Sequence, residues 1–224
     1  IIKKFLYSDH EIFLRELVSN AVDATTKLKT LGRLGEFTGE IGKTTIDIKV
    51  DEKKGTLHII ERGEGMSEAE VEKYLNQVAF SGASEFLKEY EGKVEEDGII
   101  GHFGLGFYSA FMVSKKVEVH TKTWRDEDAV KWVCDGSPEF SVTKSKKTDR
   151  GTEIILHIDG ESKEFLEEAR ISQILNKYCK FLPVEIKFGT KTEYIDSPTG
   201  EKDDDGNLKK ESVEVDNIIN NPNP

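Results

Sequence analysis

Cysteine is scarce in this chain of 224 residues: Cys134 and Cys179 are far apart and lack Cys-x-x-Cys spacing. That excludes a disulfide framework and suits reduced thiols in a cytoplasmic protein. Excess positive charge is missing too, since 32 basic against 43 acidic residues leave a formal −11. A sequence-independent grip on phosphate backbones or anionic lipid is disfavoured, so no nucleic acid partner is expected. The most apolar stretch, residues 99–113, is interrupted by His102 and three glycines. It falls short of the roughly 18 residues a spanning helix needs, so no membrane partner is expected either. The five histidines (His10, His58, His102, His120 and His157) form no metal-ligand spacing with each other or with the cysteines, and structural roles are expected for them. Trp124 and Trp132 flank a hairpin turn, where packing accounts for them. An initiating methionine is also lacking: the chain opens within the apolar pattern Ile1, Ile2, Phe5, Leu6 and reads as a piece of a longer protein.

What is present suffices for one sizeable core, because 36% of the residues are hydrophobic. Ser8-Asp9-His10-Glu11 reads as a capping box opening a long helix, in which Leu14, Leu17, Val18, Ala21, Ala24, Thr25 and Leu28 share one apolar face. Gly32 and Gly35 end it. Residues 44–50 and 56–60 are β-rich runs around a turn at 51–55, and Ser67-Glu68-Ala69-Glu70 caps a helix through Val71, Leu75 and Val78. From 81 to 98 the text turns polar, acidic and glycine-punctuated, as in a mobile lid. Residues 107–113 predict a buried helix, and 117–123, 129–134, 140–143 and 152–158 predict strands. A late amphipathic helix is expected over 165–181, stopped by Pro183, with a last strand at 184–188. Strands adjacent in sequence favour antiparallel neighbours. The expected fold is therefore α+β, a two-layer sandwich of a mostly antiparallel mixed sheet with helices on one face. Residues 1–190 form the main domain, and 191–224 a charged hairpin and linker toward a further domain.

Three distant segments carry chemistry. In Glu16-Leu17-Val18-Ser19-Asn20-Ala21-Val22-Asp23-Ala24 the polar residues Glu16, Asn20 and Asp23 fall within a helical stripe of about 60°, away from the apolar face. A nucleotide site needs a hard oxygen for Mg²⁺, which Asn20 supplies, and a carboxylate to orient or deprotonate water, which suits Glu16. Glu61-Arg62-Gly63-Glu64-Gly65-Met66 leaves a strand through a Gly-x-Gly turn whose missing Cβ atoms let backbone approach a flat ring such as a purine. Gly101-His102-Phe103-Gly104-Leu105-Gly106-Phe107 offers open N–H donors before a helix, suited to phosphate oxygens. Its spacing matches neither the dinucleotide fingerprint nor the P-loop, and the protein-kinase motifs are missing. Each signal also has a bland reading: a solvated helix face, an ordinary glycine turn, or tight helix packing.

Taken together, Glu16-x-x-x-Asn20-x-x-Asp23-Ala24, the Gly-x-Gly turn and the later glycine loop resemble the ATPase superfamily shared by topoisomerase subunits, mismatch-repair proteins, sensor kinases and heat-shock chaperones. The flanking text, Ile12-Phe13-Leu14-Arg15 before Glu16, Ser81-Gly82, and Ile100 through Ser109, is similar to the amino-terminal domain of the ninety-kilodalton heat-shock chaperone family, nearest its bacterial branch. Asp149-Arg150-Gly151-Thr152 and Tyr178-Cys179-Lys180-Phe181-Leu182-Pro183 extend the likeness over nearly the whole chain. The resemblance implies Glu16 as general base, Asn20 as Mg²⁺ and phosphate ligand, and Asp23 and Ala24 beside the nucleotide. It implies Gly65 and Met66 in the purine pocket, and Gly104, Leu105, Gly106 and Phe107 in the phosphate loop. Thr152 would help hold the base through water, and residues 77–101 would form a lid over bound ATP. For the intact protein it implies a slow Mg-dependent ATPase that acts on unfolded or partly folded client proteins as a homodimer, this portion alone being monomeric.

Three positions depart from that family. Glu61 stands where the family has aspartate, so a longer side chain must fold back to reach the base. Glu64 places a carboxylate at a normally apolar turn position, with Arg62 expected to compensate it. Phe80 replaces a lysine found near the phosphates in many relatives. Nucleotide is expected to bind, less tightly than in relatives with aspartate. Two alternatives stand beside this reading. One is a regulatory module that keeps the fold but has lost the nucleotide; the other is a mismatch-repair or topoisomerase-type ATPase domain, against which the acidic balance and the Phe103-to-Ser109 text argue.

Overall fold

The apolar residues of the first long helix pack down onto a single eight-stranded sheet, in a computed structural model that describes residues 10–76, 105–137, 139–196, 208–220 and 222. Helix α1, Ile12–Arg33, buries Phe13, Leu14, Leu17, Val18, Ala21, Val22, Thr25 and Leu28. This is the face expected from the 3.6-residue period, widened by Phe13 and Val22, while Ala24 lies at its margin. The helix closes where Gly35, at φ +76°, donates its N–H to the Gly32 carbonyl at 3.2 Å. At the other end Ser8 and Asp9 lie outside the described residues. The Glu11 carboxylate reaches across to Arg170 at 2.6 Å and Lys177 at 2.9 Å.

Strands β1 (Ile46–Asp51) and β2 (Thr56–Ile60) form the expected hairpin, with Asp47 opposite Ile60 and Asp51 opposite Thr56. Helix α2, Glu68–Val71, opens with a complete capping box: Ser67 Oγ accepts from the Glu70 N–H at 3.3 Å and Glu70 Oε2 from the Ser67 N–H at 2.8 Å. The expected helix through Leu75 continues only as a π-helical turn, Glu72–Asn76, and Val78 lies outside the described residues. Helix α3, Leu105–Tyr108, passes directly into a 3₁₀ turn, Ser109–Met112. Strands β3 (Ser114–Lys122), β4 (Val130–Cys134), β5 (Phe140–Lys144) and β6 (Gly151–Ile158) follow.

The late helix is a correction to the sequence reading. A 3₁₀ turn, Lys163–Leu166, is separated from α4, Glu168–Tyr178, by Glu167 in extended conformation, and Phe181 is 92% exposed. The break lets Phe165 turn inward, its ring 5.0 Å from that of Phe13. Strand β7, Ile186–Asp196, outruns its predicted span because it pairs with β8, Lys210–Ile218, along most of its length. Asn220, buried beyond β8, pins this return by accepting from the Ile186 N–H and donating to the Leu182 and Val184 carbonyls.

The strand order is β5-β4-β3-β6-β2-β1-β7-β8, antiparallel throughout except for the parallel pair β1 and β7. The mixed two-layer α+β architecture is as expected. One face, through Ile46, Ile48, Leu57, Ile59, Val117, Val119, Trp132 and Leu156, joins α1 and α4 in the core. Alternate residues point the other way and build an ionic layer there. Its centre is Glu118, whose carboxylate meets Lys131 at 2.6 Å, His157 at 2.7 Å and Lys116 at 2.8 Å. His58 bonds Glu153 at 2.9 Å, and His120 bonds Ser145 at 3.0 Å. The histidines in the strands thus have structural partners. Both cysteines are free and buried, and burial pushes the Cys179 thiol up to about 12, away from reactivity.

Candidate nucleotide site

Between α1 and the core face of the sheet lies a cavity of about 510 Å³. One wall comes from α1 through Leu17, Asn20, Ala21 and Ala24. The opposite wall is formed by the turn after β2, through Glu61, Gly65 and Met66, and by Thr152 at the start of β6. Phe107 of α3 closes one end, where its ring packs edge-on to Trp132 at 5.7 Å; Glu70, Tyr74 and Leu75 close another. Eight of the residues singled out in sequence therefore face one space: Asn20, Ala24, Glu61, Glu64, Gly65, Met66, Phe107 and Thr152.

Thr152 joins Glu61 by a reciprocal pair of main-chain bonds, 2.9 and 3.1 Å, that extends the β2–β6 ladder one residue past its end. From there hydroxyls run into the cavity floor: the Met66 N–H donates to Thr121 Oγ1 at 2.9 Å, which lies 3.0 Å from Thr152 Oγ1. Glu61 is 4% exposed. Its side chain folds back so that Oε2 accepts from the Gly63 N–H. Burial raises its carboxyl above the ordinary range, and hydrogen bonds from the Thr152 hydroxyl and the Gly63 N–H oppose the rise only in part.

The glycines of the turn serve the protein's own packing as well as an incoming ring. A Cβ on Gly63 would stand 2.4 Å from the main-chain carbon of Ala24 on α1. Gly65, at φ +64°, would place one 1.9 Å from the Lys122 carbonyl oxygen. The turn is thus wedged between α1 and the end of β3, and only glycine fits. Glu64 lines the cavity and pairs with Lys27 of α1 at 3.3 Å. The compensation expected from Arg62 is not made: that side chain turns outward to Asp47 Oδ2 at 2.6 Å and the Thr45 carbonyl at 2.7 Å.

Glu16 lies one helical turn before Asn20, and its Oε1 accepts from Arg15 at 2.8 Å. Its other oxygen abuts Gly106, where a Cβ would be 2.7 Å away. Leu105 opens α3 immediately before that contact. Asp23 is exposed and does not line the cavity. Gly104, Phe80 and the lid expected over 77–101 lie outside the described residues. Asn20 contributes a single hard oxygen, and the described residues contain no cluster of three or more acidic, histidine or cysteine ligands able to hold a metal unaided.

Sequence reasoning missed Thr121, Tyr74 and Glu70. Thr121 was hidden as one polar residue on an alternating strand. The capping signature at Ser67 located Glu70, without showing that its helix lines the cavity.

A family model described as "Histidine kinase-, DNA gyrase B-, and HSP90-like ATPase" matches residues 7–157. The chain is 58% identical over 225 residues to the chaperone protein HtpG of Bacteroides thetaiotaomicron, covering 100% of this chain and 31% of that protein. It is 57% identical over 209 residues to HtpG of Porphyromonas gingivalis, covering 93% and 30%. HtpG of a Shewanella strain is 42% identical over 203 residues, covering 88% and 32%. The chain thus spans about a third of the length of these relatives. A glycine-wedged turn, an asparagine-bearing helix and a helix start around one cavity agree with a family match over more than half the chain, and this chain belongs to the histidine kinase-, DNA gyrase B- and HSP90-like ATPase family.

Proposed function

We propose that this domain binds Mg-ATP and hydrolyses it slowly as the amino-terminal part of a cytoplasmic molecular chaperone that cycles on client proteins. The observation that carries the reading is the single cavity shared by Asn20 and Ala24 of α1, Glu61, Glu64, Gly65 and Met66 of the turn, Phe107 and Thr152. Its floor of hydroxyl, amide and carboxyl groups suits the polar edge of a purine, and its apolar sides suit the ring. The start of α3, with Gly106 bare of a side chain against Glu16, suits phosphate oxygens. Leu105 and Gly104 belong to the same loop in this proposal, and Asp23 flanks the cavity from outside.

The residues present fit a phosphate-bound Mg²⁺, a hard ion that takes one or two protein ligands and fills its shell with phosphate and water oxygens. Asn20 would hold it, and when bound it neutralises charge on the phosphates. Glu16 orients water as general base. Lys27 is the one cation among the described residues lining the cavity, and it is paired with Glu64. Among the described residues lining the cavity no second cation faces the charge that develops on the transferring phosphoryl group, in keeping with slow hydrolysis by this domain alone. In this proposal residues 191–224 lead toward further domains that supply client contacts and the homodimer interface, and the domain alone is a monomer. Among the described residues no helix is long and apolar enough to cross a membrane.

Thermal unfolding with and without Mg-ADP tests the reading. Nucleotide at a hundred times its dissociation constant is expected to add about 2.7 kcal/mol of stability. An unchanged melting point at millimolar Mg-ADP would instead identify a module that keeps the fold without the ligand.

A further inference from the structure

We propose that Arg150 is a positioning residue for base recognition, acting on the cavity's polar wall from behind; the inference rests on the nucleotide reading above. The guanidinium does not line the cavity. It donates to four main-chain carbonyls on two separate segments. Nε reaches Gly63 at 3.0 Å and Arg62 at 3.3 Å, while the terminal nitrogens reach Ile41 at 2.7 Å, Arg62 at 3.2 Å and Glu40 at 3.3 Å. Its carbon lies 5.0 Å from the centre of the Phe37 ring, which itself packs edge-on to Trp124 at 6.1 Å. Arg150 therefore ties the strap between α1 and β1 to the outer side of the Gly63 turn.

The two residues that follow complete the same brace. Gly151, at φ +106°, brings β6 so close that a Cβ would stand 2.2 Å from the Glu61 carbonyl oxygen. Thr152 pairs with Glu61 through main chain and hydroxyl. Three consecutive residues thus fix the segment whose inner side presents Glu61 and Gly65 to the cavity. A planar fork satisfying carbonyls on two separate segments at once is a task lysine cannot reproduce, because an ammonium is a compact point charge without fixed donor directions. Loss of the fork leaves Arg62 and Gly63 free to shift by fractions of an ångström, and base discrimination depends on hydrogen bonds that fail over such displacements.

The test compares wild type with Arg150→Met and Arg150→Lys by calorimetric titration with Mg-ADP and Mg-IDP, which differ only at the 6-substituent and at N1 of the purine, where donor and acceptor are exchanged, alongside unfolding of the free proteins. Arg150→Met is expected to weaken Mg-ADP binding by about tenfold. The ratio of IDP to ADP dissociation constants should fall toward one, with Arg150→Lys between it and wild type. Unchanged ADP affinity overturns the proposal, as does weaker binding of both nucleotides with the ratio preserved, which is what a merely structural residue would give. If Arg150→Met does not fold, Arg150→Lys decides by the same ratio. A wild type that binds ADP and IDP equally also overturns it, whereas a wild type that binds neither overturns the nucleotide reading itself and this inference with it.

Discussion

Glu16 and Gly106, far apart in sequence, are in contact: a methyl group built on Gly106 would lie 2.7 Å from Oε2 of Glu16 and 3.2 Å from its Cβ. The carboxylate proposed to activate water and the helix start proposed to receive phosphate thus share one boundary, and the absent Cβ keeps it open.

Gly106→Ala is expected to separate activity from stability. Alanine raises helix propensity by up to about 1 kcal/mol, and crowding against Glu16 costs a similar amount, so the melting point should move little. The carboxylate must swing aside, however, and ATP turnover is expected to fall by about tenfold or more. Phosphate-release kinetics beside a thermal melt check this; turnover at the wild-type rate would show that Glu16 has no positional role.

Glu61 makes stability depend on pH in an unusual direction. Its folded-state pKa is raised by burial, so between the ordinary carboxyl value of 4.5 and the raised one the native state binds more protons than the unfolded state. Stability from this residue therefore declines as pH rises through that window. Glu61→Gln removes the ionisation, and its melting point should gain on the wild type from pH 5 to pH 8. A constant difference across that range would count against the assignment.

Glu118 has the opposite sign. Burial alone would raise its carboxyl, but the ammonium groups of Lys116 and Lys131 and the ring of His157 outweigh it and hold the group well below the usual range. Its contribution is fully present above the unfolded-state pKa and is lost as pH falls through the folded one. Glu118→Gln is expected to cost roughly 3 kcal/mol at pH 7, because it strands the ammonium groups of Lys116 and Lys131 around a neutral amide. The deficit should shrink below about pH 4 in denaturant titrations. Nucleotide affinity should be unaffected, since Glu118 faces away from the cavity.

Local signals in the sequence translated well where one segment decided its own structure. The capping box at Ser67, the span of β2 and the apolar face of α1 all depend on neighbours a few residues away. Pairings between distant segments were not legible. Nothing in residues 186–188 announces the parallel ladder with β1, and the predicted end of β7 missed the support of β8. At the site, the residue types were visible but their partners were not. The text offered Arg62 as counter-ion for Glu64, and tertiary packing gave that role to Lys27 while sending Arg62 to Asp47. Gly63 and Gly65 were read as clearance for a ligand, whereas the nearest atoms they spare belong to Ala24 and Lys122. Arg150 carried no sequence signal of its role, because its partners are main-chain carbonyls that any residue would supply.

The position of β6 between β2 and β3 carries a consequence for synthesis on the ribosome. Glu61 emerges early, yet its reciprocal main-chain partner is Thr152, and the neighbouring β1 takes its parallel partner only from β7. A nascent chain stopped short of Thr152 holds the helix and the glycine turn but has no floor between them. Closing so long a loop is slow and entropically costly, so the cavity floor is expected to form only after Thr152 has been made.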